Sequence, residues 1–285
     1  MIAVTLMWSM AGVASRHLEA ARSFELTFWR SAFNALALLP LLAWQRGPAA
    51  LWHTLRHGGR LLWASGLCWC VMYTAFMVAL TLTTVANVLI TMSLAPLFTA
   101  LISRLALGHR LAARTWGAIV VAGLGIGWMY GQQVSGGEAR HLLGTAVALA
   151  VPLAAAVNWV LLQHHRDAAG ADMLPAVLIG ALLSAGLTLP LSLPFAASAH
   201  DIGVLAMLGV FQLAIPCLLA VMAARVLSAP EVSLLALLEV VFGVAWAWLG
   251  AGEAPNAAVI GGGLLVSGAL VANEAAGLRG ARVSP

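Results

Sequence analysis

Charge is what this chain lacks. Only 8% of its 285 residues are Asp, Glu, Lys or Arg, against about 25% in an ordinary soluble domain. Lysine is absent, so all 14 basic residues are arginine. Too few charges exist to solvate a surface of this size, which excludes a soluble enzyme and a disordered chain. Paired cysteines are also missing. Cys68, Cys70 and Cys217 lie in apolar runs and make no CxxC, so neither a disulfide framework nor a metal site is expected. No GxxxxGK[ST] loop is present, which excludes a P-loop ATPase. An intramembrane protease would need GxSxG with a histidine partner, or HExxH; neither occurs. No cofactor is implied.

What is there is hydrophobic: 62% of the residues, at a mean hydropathy of +0.97. Ten apolar runs stand out: Ile2–Leu18, Phe24–Trp44, Leu61–Leu82, Val85–Ala106, Arg114–Gly131, Leu142–Gln163, Leu174–Pro194, Ile202–Ala224, Glu231–Gly250 and Ala257–Ala275. Each has roughly 17–23 residues, which spans a bilayer as a helix. They lack the alternation of barrel strands. The spacing predicts an all-α integral membrane protein of ten transmembrane helices. The longest connector, Gln45–Arg60, is too short for a soluble domain, and Thr83–Thr84 must join a tight hairpin. Pro152 and Pro216 predict bends inside their helices, and Pro190 and Pro194 an end or a kink. The first run has no basic flank or small-residue cleavage site, so no cleaved signal peptide is expected.

Arginine sets the orientation. With the N-terminus in the cytoplasm, the inner side holds Arg46, Arg56, Arg60, Arg104, Arg110, Arg114, Arg166, Arg225, Arg279 and Arg282. The outer side holds Arg16, Arg22 and Arg140. This bias predicts a multi-pass protein of a bacterial-type inner membrane with both termini cytoplasmic. The arginines are scattered over loops, so no nucleic-acid partner is implied.

An internal repeat accompanies the runs. Leu94, Phe98, Leu105, Gly108 and Gly117 fall, 144 residues on, upon Leu238, Phe242, Leu249, Gly252 and Gly261. His109 falls on Glu253. The offset is half the chain, so each half holds five helices. An odd number forces the second copy into the membrane from the opposite side, which gives an inverted-topology repeat. The expected units are residues 1–137 and 138–285.

The residues "AARVLSAPEVSLLALLEVVFGVAWAWLGAGEAP", 223–255, resemble the penultimate hairpin of the drug/metabolite transporter superfamily, EamA type. The first half repeats it as "TLTTVANVLITMSLAPLFTALISRLALGHRL". Trp8-Ser9 is similar to the family's Trp-Gly, and "FELTFWRSAF" places Arg30 on its helix-two arginine. Two departures stand out: His109 replaces a glutamate usual in the first half, and Val240 a proline usual after Glu239. The resemblance implies a ten-helix exporter of small metabolites such as amino acids. Within the superfamily the chain is similar to aromatic amino-acid exporters of the YddG type.

Only Arg30 and Glu239 are ionisable and deep. Arg30 lies about 9 Å from the outer end of its run. Glu239 is about as deep from the inner end, so in a core of ~30 Å a direct ion pair is not expected. A charge at the bilayer centre costs about 2.5–3.5 kcal/mol on insertion scales, so each should face the bundle interior. Arg30 suits a substrate carboxylate; the competing reading is snorkelling to the interface. Glu239 suits a proton or a substrate amine, hence proton coupling; the competing reading is a protonated helix contact. Trp8, Tyr73, Met77, Asn87, Asn158, Trp159, Gln163, Gln212 and Trp246 complete the expected substrate-binding set. They would form a cavity of aromatic walls with a few amides. Interface anchoring and helix glue are the competing readings for each.

Glycines on the fifth and tenth runs, Gly117, Gly123, Gly125 and Gly127 with Gly261, Gly262, Gly263 and Gly268, allow close helix packing or a homodimer. His53, His57, His164, His165 and His200 read as solvated or interfacial. The expected activity is secondary or facilitated export by alternating access, with a small-molecule substrate and membrane lipid as partners. The alternatives are a non-transporting membrane assembly protein, or an importer or exchanger of another metabolite.

Overall fold

A computed structural model of the chain describes residues 1–20, 23–107, 139–167, 172–252 and 257–283, with Gly117, Ala118, Val120, Val121, Leu124, Gly125 and Trp128. Most of the fifth run lies outside the described residues, as do Arg22, His109, Arg110, Arg114, Gly123, Gly127, Glu253 and the 137/138 boundary. So do the side chains of Arg166, Arg279 and Arg282.

Apolar composition drives the described chain into helices, because lipid leaves a backbone N–H or C=O no other partner. They are α1 (Ile2–Ser15), α2 (Ser23–Arg46), α3 (Pro48–His57), α4 (Arg60–Leu82), α5 (Val85–Met92), α6 (Ala95–Leu107), α7 (Ala139–Asp167), α8 (Leu174–Ser192), α9 (Ala199–Met207), α10 (Ile215–Ala223), α11 (Ala229–Ala236), α12 (Leu238–Ala251) and α13 (Ala257–Val283). A π-helical segment, Leu208–Ala214, joins α9 to α10. Seven spans among the described residues are long and apolar enough to cross a membrane, and two shorter apolar helices, Ile2–Ser15 and Ile260–Ala269, accompany them. The protein is a multi-pass membrane protein.

Within the connector Gln45–Arg60, Pro48 at the first helical position starts α3, which buries Leu51. One expectation needs correction. The fourth and ninth runs are not continuous helices. The fourth breaks at Ser93–Leu94 and the ninth at Leu237. The bounds recur at one offset: Val85–Met92 and Ala229–Ala236 start and end 144 residues apart, and so do the ends Leu107 and Ala251.

Hydroxyls are satisfied inside the helices or between them. Thr91, Thr99, Thr188 and Ser192 each donate to the carbonyl four residues back at 2.7 Å. Ser184 on α8 meets Ser31 of α2 and Thr74 of α4, both at 2.9 Å. Ser65 of α4 donates to Asn158 of α7 at 2.6 Å. Such bonds between membrane helices are each worth about 0.6 kcal/mol. Gly180 lets α8 meet α4: a Cβ there would sit 2.3 Å from that of Trp69.

The two ends differ in chemistry. At one, Arg46 and Arg225 both pair with Asp172, which also accepts from the Leu174 N–H at the start of α8. At the other, buried Glu25 accepts from the N–H groups of Ala196 and Ala197, and Asp201 from those of Glu19 and Ala20. There Arg16 donates to the Thr83 carbonyl and Arg140 to that of Thr81.

Candidate functional site

A cavity opens where the breaks in α5–α6 and α11–α12 meet the middles of α1, α4 and α7, the first third of α2 and the π segment. It holds about 780 Å³ of atom-free space, its mouth included. The walls are mostly aromatic and thioether: Trp8, Trp69, Tyr73, Phe76 and Trp159, with Met72 and Met92. Polar groups are few. They are Arg30 from α2, Gln212 from the π segment, Cys217 from α10, Ser233 from α11 and Glu239 from α12.

Arg30 reaches the cavity from about two turns into α2. Its side chain is 3% exposed, and its Cζ lies 5.5 Å from the Phe76 ring centroid. That stacking partly replaces lost hydration. Nε and Nη1 are buried without a hydrogen-bond partner. Close packing behind Arg30 fixes its backbone. Gly209 sits against α2 so tightly that a Cβ would lie 2.7 Å from the Arg30 carbonyl oxygen.

Glu239 sits in the first turn of α12, just after the break at Leu237, where the helix N-terminus favours a carboxylate. It is within electrostatic range of Arg30, yet the two form no ion pair. Gln212 donates through Nε2 to the Trp8 carbonyl at 3.0 Å, while its Oε1 has no partner. Tyr73 Oη lies beside Cys217 and Asn34 but meets neither in hydrogen-bond geometry. Trp69 Nε1 is likewise buried and unpartnered, as are both amide atoms of Asn34. Leaving a buried polar group unpaired costs about 1–3 kcal/mol. Several such groups around one cavity mark a place built for a polar occupant.

Of the expected set, Trp8, Arg30, Tyr73, Trp159, Gln212 and Glu239 meet at this cavity. The other five lie elsewhere. Met77 is buried in a neighbouring apolar cluster. Asn87 donates to Thr83 at the α4–α5 turn, and Asn158 accepts from Ser65. Gln163 accepts from the Ala229 N–H, fixing the start of α11. Trp246 is 41% exposed: it follows Glu239 by seven residues, which carries it about 10 Å along α12 and past the cavity. Sequence reasoning missed Phe76, Cys217 and Asn34. Asn34 carried a usable signal, since it follows Arg30 by four residues and so shares its helix face.

The lining has an internal regularity. Five pairs of lining residues stand 144 positions apart: Trp8 and Pro152, Trp69 and Leu213, Tyr73 and Cys217, Met92 and Ala236, Ala95 and Glu239.

No curated protein matches the chain. A solved structure described as "Crystal structure of protein" superposes with a TM-score of 0.65 at 17% identity, covering 99% of this chain and 96% of its own. The two share a fold over essentially their whole lengths. The sequence matches a family over residues 1–131, the segment that supplies α1 to α6 and with them Trp8, Arg30, Trp69 and Tyr73. Over residues 1–131 the chain is similar to the EamA-like transporter family, and that likeness agrees with the apolar spans and the cavity that the segment helps to line.

Proposed function

We propose that the chain exports amino acids with aromatic or other apolar side chains across a bacterial-type inner membrane, both termini being cytoplasmic. It works by alternating access, driven by a gradient or by facilitated exchange. The observation that carries this reading is Arg30 at the cavity wall, buried, with two unpartnered guanidinium nitrogens, facing a cavity that also holds Glu239. A zwitterion fits two opposite charges that are not already spent on each other. Its carboxylate goes to Arg30, its ammonium to Glu239, and its apolar side chain among Trp8, Trp69 and Trp159.

The cavity is read as lying between two inverted five-helix repeats, residues 1–137 and 138–285, in a ten-helix whole. The recurring helix bounds and the five lining pairs support this. So does the interleaving of the halves: α1 packs on α12, α4 on α7 and α8, and α5 on α12. Rocking one half against the other would expose the cavity to each side in turn. Glu239 is the carboxyl through which a proton could be exchanged. The glycines of the fifth and tenth runs are the surface through which a homodimer would form.

The test is counterflow in proteoliposomes with a labelled amino-acid panel. Accelerated exchange of Trp, Phe, Tyr or Met supports the reading. Folded protein that moves none of them, but moves another metabolite, replaces the substrate class. Folded protein that moves nothing favours a non-transporting assembly role.

A further inference from the structure

Helix α3 is not used by the cavity, yet its chemistry is distinctive. It is ten residues long and joins the ends of α2 and α4. Leu51 is buried against the core and Leu55 packs on it, so one face of the helix is fixed to the protein. The opposite face carries Trp52, His53, Arg56 and His57, all exposed. Arg56 lies over the Trp52 ring, with Cζ 4.8 Å from its centroid. The His53 and His57 rings stack at 4.6 Å. Two more exposed tryptophans flank the helix: Trp44 at the end of α2 is 84% exposed, and Trp63 near the start of α4 is 43% exposed.

The charge around this face has one sign. No Asp or Glu occurs from Leu26 to Gly137. Among the described residues at this end, Asp172 is already held by Arg46 and Arg225, and Glu231 accepts from Ser228 at the start of α11. Neither Arg56 nor exposed Arg60 is paired with a carboxylate among the described residues. Tryptophans at this level suit the boundary between acyl chains and headgroups. Arginines beside them suit the phosphate and its negative surface potential, and the planar guanidinium matches phosphate oxygens.

We infer that α3, with Trp44, Arg60 and Trp63, is an interfacial platform that binds the headgroups of anionic phospholipids on the leaflet at this end. Its tryptophans lie at the acyl boundary, and Arg56 and Arg60 engage the phosphates. Amphipathic helices with basic and tryptophan-bearing faces bind membranes in this way. The platform ties the joined ends of α2, which carries Arg30, and α4, which carries Tyr73, to the lipid surface.

The full chain is reconstituted in nanodiscs of phosphatidylcholine mixed with phosphatidylglycerol, and released complexes are weighed by native mass spectrometry. The expected result is bound phosphatidylglycerol well above its mole fraction in the disc. R56Q/R60Q should lower that enrichment several-fold, while R104Q, at the same end but on another helix, leaves it unchanged. Unchanged melting of R56Q/R60Q in pure phosphatidylcholine discs separates a lost lipid site from a lost fold. Phosphatidylglycerol bound only in proportion to the bulk overturns the proposal. So does enrichment that survives R56Q/R60Q, or equal loss in R104Q. A dimer joined through α3, without lipid enrichment, assigns the face to a second copy instead and also overturns it.

Discussion

Arg30 and Glu239 line one cavity from different parts of the chain without forming an ion pair. Their equivalents at the 144-residue offset carry no charge: Leu174 stands for Arg30, and Ala95 for Glu239. Five pairs of lining positions recur at that offset, but the two charges do not. An occupant with two charged ends has only one orientation that satisfies both.

That asymmetry makes the two substitutions distinguishable by ligand. Arg30→Gln should weaken binding of a free amino acid by about 10–100-fold, the range for a lost charge-assisted hydrogen bond of about 1.5–3 kcal/mol. It should barely affect the corresponding methyl ester. Glu239→Gln should do the reverse, sparing the N-acetyl analogue and weakening the free amine. Ligand-induced thermal stabilisation measures both series. Equal losses for every analogue would show that the charges hold the cavity rather than the ligand.

Proton coupling isolates Glu239 further. Across an acid-to-alkaline series, wild-type efflux should vary with pH, and Glu239→Gln should give a flat profile while retaining the wild-type melting temperature. A variant profile that keeps the wild-type shape would move the coupling to another group or remove it.

Much of this was legible in the chain, and the illegible part has a physical cause. Run length foretold spans such as α2, α4 and α8, because bilayer thickness sets it. Depth and charge picked out Arg30 and Glu239. Amides were harder. Asn158, Gln163 and Gln212 look alike in sequence, since each is one polar residue in an apolar run. Only packing shows that Asn158 meets Ser65, that Gln163 meets the Ala229 N–H, and that Gln212 turns one oxygen to the cavity. The helix break at Ser93–Leu94 carried a usable mark in Pro96, which stands in the first turn of α6, whereas the break at Leu237 has no proline or glycine beside it. Trp246 misled through heptad spacing, which keeps it near the face of Glu239 but places it about 10 Å further along α12, beyond the cavity.

Gly209 tests how the site is held. A Cβ there would lie 2.6 Å from that of Phe33, 2.7 Å from the Arg30 oxygen and 3.0 Å from the Asn34 nitrogen. Two of these are backbone atoms that cannot rotate away. Gly209→Ala should therefore separate the π segment from α2 and cost about 1–3 kcal/mol, the usual range for overpacking. Melting should fall, and affinity should fall with it because Arg30 shifts. Gly203→Ala, where nothing lies within 4 Å, is the control and should change neither.

Asp172 joins the ends of α2 and α10 through Arg46 and Arg225, with a side chain 37% exposed. Half-exposed pairs contribute little stability, about 0–1 kcal/mol. Asp172→Asn should therefore leave melting almost unchanged. If the halves move against each other, the bridge must open in each cycle, so the variant should alter the exchange rate far more than substrate affinity. A variant that changes affinity alone would make Asp172 part of the binding state and not of the movement.

Cys217 reports on the cavity directly. It lines the cavity wall beside Tyr73 and is 1% exposed. Cys68 and Cys70 lie on α4, so a Cys68→Ser, Cys70→Ser background leaves one thiol to follow. In that background a small methanethiosulfonate reagent should modify Cys217 slowly, at a rate set by how often the cavity opens. A bound substrate occupies the same space, so saturating ligand should reduce the rate by at least several-fold. Arg30→Gln should reduce this protection at the same ligand concentration, because it binds the ligand about 10–100-fold more weakly. Labelling counted by intact mass gives each rate. Equal rates with and without a ligand known to be transported would place the substrate outside the cavity that Arg30, Tyr73 and Glu239 share.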